Sequence, residues 1–195
     1  MNWKVIVFIG LLGCGAIHHY QNRPVIHGVG EIAPNDPVQT NIHSGDIRFN
    51  DFTLTPLANY EIEARVLSKE DYAVGIEAEL SPTDLAVGWG VMSDEAVLNK
   101  IDISQGNRFF FWHVDQFPIP QHEIEIHAAN MHIIPANDNV KRQLNKVRAG
   151  QVAHIKGLLI EAKRSDGWHW RSSLTREDTG SGACELMYAT ELTVH

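Results

Sequence analysis

The chain has 195 residues and a formal net charge of −8, with 44% apolar and 21% charged residues. This length suits one domain or two small ones, and the apolar share is that of a globular chain, which excludes wholesale disorder. No apolar stretch is long enough for a multi-span membrane protein. Composition alone gives no indication of the chemistry.

The N-terminal residues predict export or membrane attachment. Lys4 precedes an uncharged, mostly apolar run from Val5 to Ile17, which is the layout of a secretory signal. As a helix this run would rise roughly 20 Å, less than the ~30 Å hydrocarbon core of a bilayer. Three outcomes fit the pattern: a cleaved signal, lipidation of Cys14 in a lipobox-like sequence, or a retained anchor. We therefore expect residues 1–20 to be a signal or a membrane anchor.

Residues 21–45 predict a linker, because proline and glycine are frequent there and no apolar periodicity is sustained. Strand signals dominate from residue 46 onward, so residues 46–195 are expected to form a single β-rich globular domain. Cys184 is the second of two cysteines. If Cys14 is removed or lipidated, no intramolecular disulfide can form, and the domain must depend on its apolar core.

The first part of this domain predicts strands around two short helices. Apolar and charged residues alternate from Tyr60 to Val66, and less regularly from Tyr72 to Leu80, with the period of a half-buried strand. The sequence from Ser81 to Asp84 predicts a helix start, with serine as the cap and proline at the first helical position. A second short helix is expected from the cap at 93–95 to about Lys100.

The second part predicts further strands and one well-defined helix. Strands are expected at 101–104, 108–114, 122–127, 151–163, 168–174 and 184–194. Four consecutive aromatic residues from Phe109 to Trp112 predict a strand covered on both faces. Asn137 or Asp138 caps a helix whose apolar residues recur with a helical period up to Val147, and Gly150 ends it.

This order of elements predicts an α+β domain that is mostly antiparallel β. We expect a small, partly closed, barrel-like sheet of OB-like type with a few short helices, behind an N-terminal apolar helix. Residues 147–160 have the pattern of a strand in such a barrel. Six apolar residues are expected to be largely buried: Phe110, Trp112, Leu144, Leu158, Ile160 and Leu186.

Charge is distributed unevenly along the chain. Residues 1–138 carry 7 basic and 18 acidic residues, whereas residues 139–176, here called the basic island, carry 9 basic and 2 acidic ones. Such an island pairs either with acidic residues of the same chain or with an anionic partner. We expect the internal match, for which the sequence offers four candidate acids: Glu61, Glu63, Glu77 and Glu79.

A metal site is one hypothesis for the chemistry. On a strand, Glu123, Glu125 and His127 would share one face, and His132 follows five residues later. Carboxylates with imidazole suit a divalent transition metal such as Mn, Fe or Zn. No helical HExxH motif accompanies them, and a polar strand face turned to solvent explains the same pattern.

A ligand platform is a second hypothesis. The sequence from Trp168 to Arg171 would place two tryptophans on one face of a strand, near several basic side chains. Such a surface can stack and hold a sugar or a single strand, although the same tryptophans can equally belong to the core. The candidate ligand-binding residues are Lys156, Lys163, Arg164, Trp168, Trp170 and Arg171.

Three stretches resemble those of a set of uncharacterised bacterial proteins. They are SPTDLAVGWGVMSD at 81–94, HAANMHIIPA at 127–136 and SLTREDTGSGACE at 173–185. The resemblance spans roughly residues 45–194. It implies a bacterial source and brings no activity, cofactor or catalytic residue.

These patterns predict an envelope-associated, non-enzymatic binding or assembly module. Its folded domain would lie in the periplasm, with residues 3–20 at the membrane and an envelope protein or a small ligand as partner. An exported location argues against nucleic acid, and no cofactor is expected. The alternative is a metal-dependent hydrolase that uses Glu123, Glu125, His127 and His132 with one divalent transition metal. No catalytic residue is identified from the sequence.

Overall fold

The computed structural model describes residues 23–175, 180 and 182–195. In this part of the chain the strands are β1 (Val38–Asn41), β2 (Ile47–Phe49), β3 (Phe52–Asp71), β4 (Thr83–Gly88), β5 (Asp102–Gly106), β6 (Phe109–His113), β7 (Ala128–Pro135), β8 (Val152–Arg164), β9 (His169–Arg171) and β10 (Glu185–Val194). The helices are α1 (Ile76–Leu80), α2 (Glu95–Leu98), α3 (Gln121–Ile126) and α4 (Asp138–Leu144), with a 3₁₀ turn at Gly90–Ser93.

Five of the strands close into a ring. β3 pairs with β4, β4 with β7, β7 with β10, β10 with β8, and β8 returns to β3. Every one of these pairs is antiparallel except β7–β10, which is parallel. β1 and β2 pair with β3, β9 pairs with β8, and β5 and β6 form a separate hairpin. The prediction of a mostly antiparallel domain with a partly closed sheet and a few short helices is confirmed.

Alternation along the strands separates the inside of the ring from its outer face. Leu85 and Val87 of β4 pack with Met131 of β7 in the main core cluster. Successive side chains of a strand point to opposite faces. The intervening residues of β4 and β7, which include Asp84 and His132, therefore lie on the outer face of the ring.

Helix α4 packs on the ring as the sequence predicts. Val140, Leu144 and Val147 belong to the main core cluster, and Leu144 is only 1% exposed. Asn137 caps the helix, because its Oδ1 accepts a hydrogen bond from Val140 N at 3.0 Å. The prediction of this helix succeeds because the cap, the apolar period and the stop are all local signals.

Residues 23–37 contain no helix or strand, yet they lie against the domain. Val25 N donates a hydrogen bond to Ala149 O at 2.9 Å. Farther along, the indole Nε1 of Trp89 donates to Asp36 Oδ1 at 3.1 Å. These contacts fix residues 25 and 36 against the domain surface.

Three predictions of local structure are wrong. Residues 76–80 form α1 where a strand was expected, and residues 83–88 form β4 where a helix was expected. All six residues of β4 are buried. A strand that is buried on both faces lacks the alternation of apolar and polar residues by which a strand is predicted. Residues 121–126 form α3 instead of a strand, with Pro120 at the N-cap, where its missing N–H costs no helical hydrogen bond.

The aromatic strand β6 is open on one face. Phe109 is 38% exposed and Phe111 53% exposed, which contradicts the prediction of a strand covered on both sides. The cause is the topology, since β5 and β6 form a two-stranded sheet of their own. Among the six predicted core residues, Leu144, Ile160 and Leu186 are fully buried, while Phe110, Trp112 and Leu158 are half-buried.

The expected N-terminal apolar helix and Cys14 lie outside the described residues. Within the described ranges, every helix is too short or too polar to cross a membrane.

Candidate ligand-binding site

A buried carboxylate on the outer face of the ring organises the candidate site. Asp84 of β4 is fully buried, and its Oδ1 accepts a hydrogen bond from Arg108 Nη1 at 2.7 Å. His132 stands directly opposite on β7, with its Nδ1 2.9 Å from the same oxygen but not aligned for a hydrogen bond. Asp84 Oδ2 has no hydrogen-bond partner among the described residues. The Arg108 guanidinium therefore supplies the main counter-charge that offsets the cost of burying the Asp84 carboxylate.

Arg108 is held at the tip of the β5–β6 hairpin. Asn107 and Arg108 have φ values of 53° and 69°, as in the two-residue type I′ turn that this hairpin requires. A left-handed conformation costs a non-glycine residue on the order of 1–3 kcal/mol and persists only where contacts over-determine it. Here Arg108 N donates to Tyr72 Oη at 3.0 Å, and Arg108 O accepts from Asn130 Nδ2 at 3.0 Å.

Tyr72 also supports the side chain of Arg108. The guanidinium carbon lies 3.7 Å from the centre of the Tyr72 ring, a cation–π geometry. Burial raises the pKa of Tyr72 above its ordinary value of 10.0. The phenol therefore stays neutral at physiological pH and can accept the Arg108 N–H.

Most donors of the Arg108 guanidinium have no hydrogen-bond acceptor among the described residues. Arginine carries five N–H donors, and the bond to Asp84 is its aligned side-chain hydrogen bond among the described residues. Arg108 Nε lies 3.8 Å from Glu77 Oε2, beyond hydrogen-bond distance. The side chain is 12% exposed. A fixed and nearly buried cation therefore has donors left for a ligand.

A cleft of about 310 Å³, here called the Arg108 cleft, adjoins this group. Its volume is within the roughly 300–1,000 Å³ typical of small-molecule sites. The Trp170 ring packs on the His132 imidazole with centroids 4.5 Å apart. The side chains that line the cleft include Glu77, Arg108, His132, Trp170, Arg171 and Cys184. The Arg108 guanidinium beside an indole favours a small anion with a planar or apolar part, whereas Arg171 is already paired with Glu161.

An apolar groove of about 260 Å³, here called the phenylalanine groove, lies next to the Arg108 cleft. Residues 109–112 and 128–130 line it, and Phe109 and Cys184 line both spaces. Cys184 Sγ lies 3.9 Å from Arg108 O and 3.8 Å from Asn130 Nδ2. The two spaces are therefore neighbours around the same hairpin tip.

The four candidate metal ligands are not brought together. Glu123 and Glu125 lie on α3, and His127 Nδ1 is 3.3 Å from Glu123 Oε2. His132 is on β7 and contacts Asp84 instead. In the parts of the chain that the structure describes, no three His, Cys, Asp or Glu side chains are placed to hold one metal ion.

The six candidate ligand-binding residues divide into two groups. Trp170 and Arg171 line the Arg108 cleft, and Trp168 packs edge-on against Trp170 with centroids 6.2 Å apart. The three others form ion pairs within the chain: Lys156 with Glu61 at 3.0 Å, Lys163 with Glu161 at 3.2 Å, and Arg164 with Asp166. Arg171 is paired as well, because its Nη1 donates to Glu161 Oε2 at 3.2 Å.

The basic island is thus partly matched by acids of the same chain. Hydrogen bonds from His154 and Lys156 lower the pKa of Glu61, which is one of the four acids expected to pair with the island. Hydrogen bonding from Arg164 is the main cause that lowers the pKa of Asp166 to about 2. On α4 and just after it, Lys141 and Lys146 are exposed and form no ion pair with another described residue.

Sequence reasoning missed Tyr72, Asp84 and Arg108 as site residues. One signal could have found Asp84, since it is the only charged residue in the stretch 81–93. A charge in a buried apolar run is almost always paired. Arg108 gave no comparable signal, because its role depends on where the hairpin tip lies in the folded chain.

The function of this chain is inferred from the sequence and from the geometry described above. No family model, curated protein or solved structure matches the chain.

Proposed function

We propose that this chain is an envelope-associated, non-enzymatic binding module whose Arg108 cleft takes a small anion. The observation that carries this proposal is the fixed Arg108 guanidinium beside the cleft, with donors that no residue of the described part of the chain accepts. A side chain that is already immobilised loses little entropy when a ligand binds. The planar fork of arginine also matches the oxygens of a carboxylate or a phosphate.

We further propose that the ring is an OB-like barrel. Its strands in chain order are β3, β4, β7, β8 and β10, and α4 stands between the third and the fourth. OB barrels bind ligands on the face of strands two and three and on the loops 1–2 and 4–5. Asp84 and His132 occupy that face here, while Tyr72 and Trp170 come from those connections. This analogy at the level of fold supports the location of the site and leaves the ligand open.

Arg108→Gln is expected to weaken the binding of inorganic phosphate at least tenfold, because it removes the charge and the bidentate fork. Isothermal titration calorimetry on the full chain in detergent would measure this. Arg108→Lys serves as a second variant, since it keeps a cation near Asp84 and also loses the fork. Arg164→Gln is the matched control, because Arg164 is paired with Asp166 and does not line the cleft. Equal phosphate affinity in the parent and both Arg108 variants would contradict the proposed site.

The envelope location rests on the sequence before the described residues, where Lys4 precedes the uncharged run of residues 5–17. An anchor there would hold the domain close to the membrane, because Val25 is fixed against the domain by Ala149. The folded domain would lie in the periplasm of a bacterium, with an envelope protein or a small ligand as its partner.

We expect the full chain to sediment with membranes in high salt and residues 23–195 to stay in the supernatant. The physical reason is that only the removed segment carries an apolar run with the layout of a signal or anchor. Ultracentrifugation of lysed cells followed by immunoblotting would measure both. Recovery of the full chain in the cytosolic fraction would contradict the envelope location.

A further inference from the structure

We infer that the anion taken at Arg108 is the carboxylate of a medium-chain fatty acid, whose alkyl chain lies in the phenylalanine groove. This inference rests on the proposed anion binding and specifies its ligand class. It follows from the position of one cation beside an aromatic groove that is open to solvent on one side.

The groove offers apolar surface that the domain itself does not cover. Phe109 and Phe111 stand on the same face of β6 with ring centroids 6.3 Å apart, and both are more than a third exposed. Exposed aromatic side chains next to a groove mark ligand or partner sites more often than isolated exposed residues do. On β7, Ala128 and Asn130 alternate with the core residue Ala129, and the three residues complete the lining of the groove.

The groove and the Arg108 cleft share lining residues. Phe109 follows Arg108 directly in the chain and lines both the groove and the Arg108 cleft. The carbonyl of Arg108 is bound by Asn130, which also lines the groove. A ligand with one anionic end and an apolar chain can therefore satisfy the guanidinium and cover the phenylalanines at the same time.

The distribution of charge favours one carboxylate and an uncharged tail. Glu125 lines the groove and would repel a second anionic group there. The groove volume of about 260 Å³ is that of a small site and limits the length of the tail. A medium-length alkyl chain meets both conditions.

The test is isothermal titration calorimetry on the full chain with five ligands: butyrate, hexanoate, octanoate, octan-1-ol and phosphate. Each buried methylene should raise the affinity roughly fourfold, from about 0.8 kcal/mol per CH₂. Octanoate has four more methylenes than butyrate and should therefore bind roughly 250-fold more tightly if all four are buried. Octan-1-ol should bind at least tenfold more weakly than octanoate, because it lacks the charge that Arg108 binds.

Two matched variants locate the alkyl chain. Phe111→Ala removes one exposed wall of the groove and should weaken octanoate binding at least fivefold while leaving phosphate binding unchanged. Val29→Ala is the control, because Val29 is an exposed apolar side chain that lines neither space. Arg108→Lys should weaken octanoate and phosphate alike.

Each other outcome overturns a specific step. If phosphate and butyrate bind but affinity does not rise with chain length, or if Phe111→Ala leaves octanoate binding unchanged, the fatty-acid ligand is wrong and the anion site stands. If no anion binds, the proposed function is wrong as well. If the peptide Gly-Phe-Phe binds through its C-terminal carboxylate more tightly than octanoate, the ligand is a peptide and the fatty-acid assignment fails.

Discussion

Asp84→Ala is expected to lower the free energy of unfolding by about 3–5 kcal/mol, the usual cost of removing one partner of a buried ion pair. Asp84 is fully buried and Arg108 is 12% exposed as a side chain. Without the carboxylate, the guanidinium stays nearly buried with no full counter-charge, since Glu77 is 3.8 Å away and half-exposed. The Nδ1 atom of His132 also loses its contact with Asp84 Oδ1.

Urea denaturation followed by far-UV circular dichroism would measure this effect. Asp102→Ala is the matched control, because Asp102 is an exposed carboxylate on β5 of the same hairpin, and its loss is expected within about 0.5 kcal/mol of the parent. The double variant Asp84→Ala/Arg108→Ala should be less destabilised than the sum of the single variants, since it leaves no buried cation. A loss below about 1 kcal/mol in Asp84→Ala would show that the pair is not a buried ion pair in solution.

The sheet was predictable because its longest strands carry a local signal. Alternation from Tyr60 to Val66 marks a stretch of β3 whose two faces meet different environments. β4 gave no such signal, because all of its residues are buried between β3 and β7. The cap-like sequence from Ser81 to Asp84 then predicted a helix that burial in the ring overrides. The local conformational preference of a segment determines its structure only where packing favours no other structure. In β4, burial within the closed ring overrides the helical preference.

The site was less predictable than the sheet, because its residues meet through pairing between distant parts of the chain. Asp84 and Arg108 are 24 positions apart in sequence. Their contact requires the length of the β5–β6 hairpin to place Arg108 over β4. His132 was named from the sequence as a metal ligand, and the β4–β7 register instead sets it opposite Asp84. Trp170 and Arg171 were named as ligand residues and do line the cleft.

The features that depart from ordinary folding preferences converge on one residue. Arg108 has a left-handed backbone, a fully buried carboxylate as its counter-charge, and a tyrosine stacked on its guanidinium. The left-handed backbone and the buried carboxylate are each costly alone, and the cation–π contact with Tyr72 helps to hold the guanidinium in place. Their coincidence beside a cleft is the physical argument for the anion site that we propose.

Leu144→Ala is expected to destabilise the domain by about 2–5 kcal/mol, because Leu144 is 1% exposed and its truncation leaves a cavity in the main core. Helix α4 has seven residues, too few to be stable by itself, so it depends on the packing of its apolar face. Lys141→Ala on the exposed side of the same helix is the matched control and should change stability by less than about 0.5 kcal/mol. Urea denaturation of both variants would measure the difference in the free energy of unfolding, and the m-value should equal that of the parent. A loss below about 0.5 kcal/mol in Leu144→Ala would mean that α4 does not pack on the ring through this face, because a buried leucine cannot be truncated so cheaply in a close-packed interior.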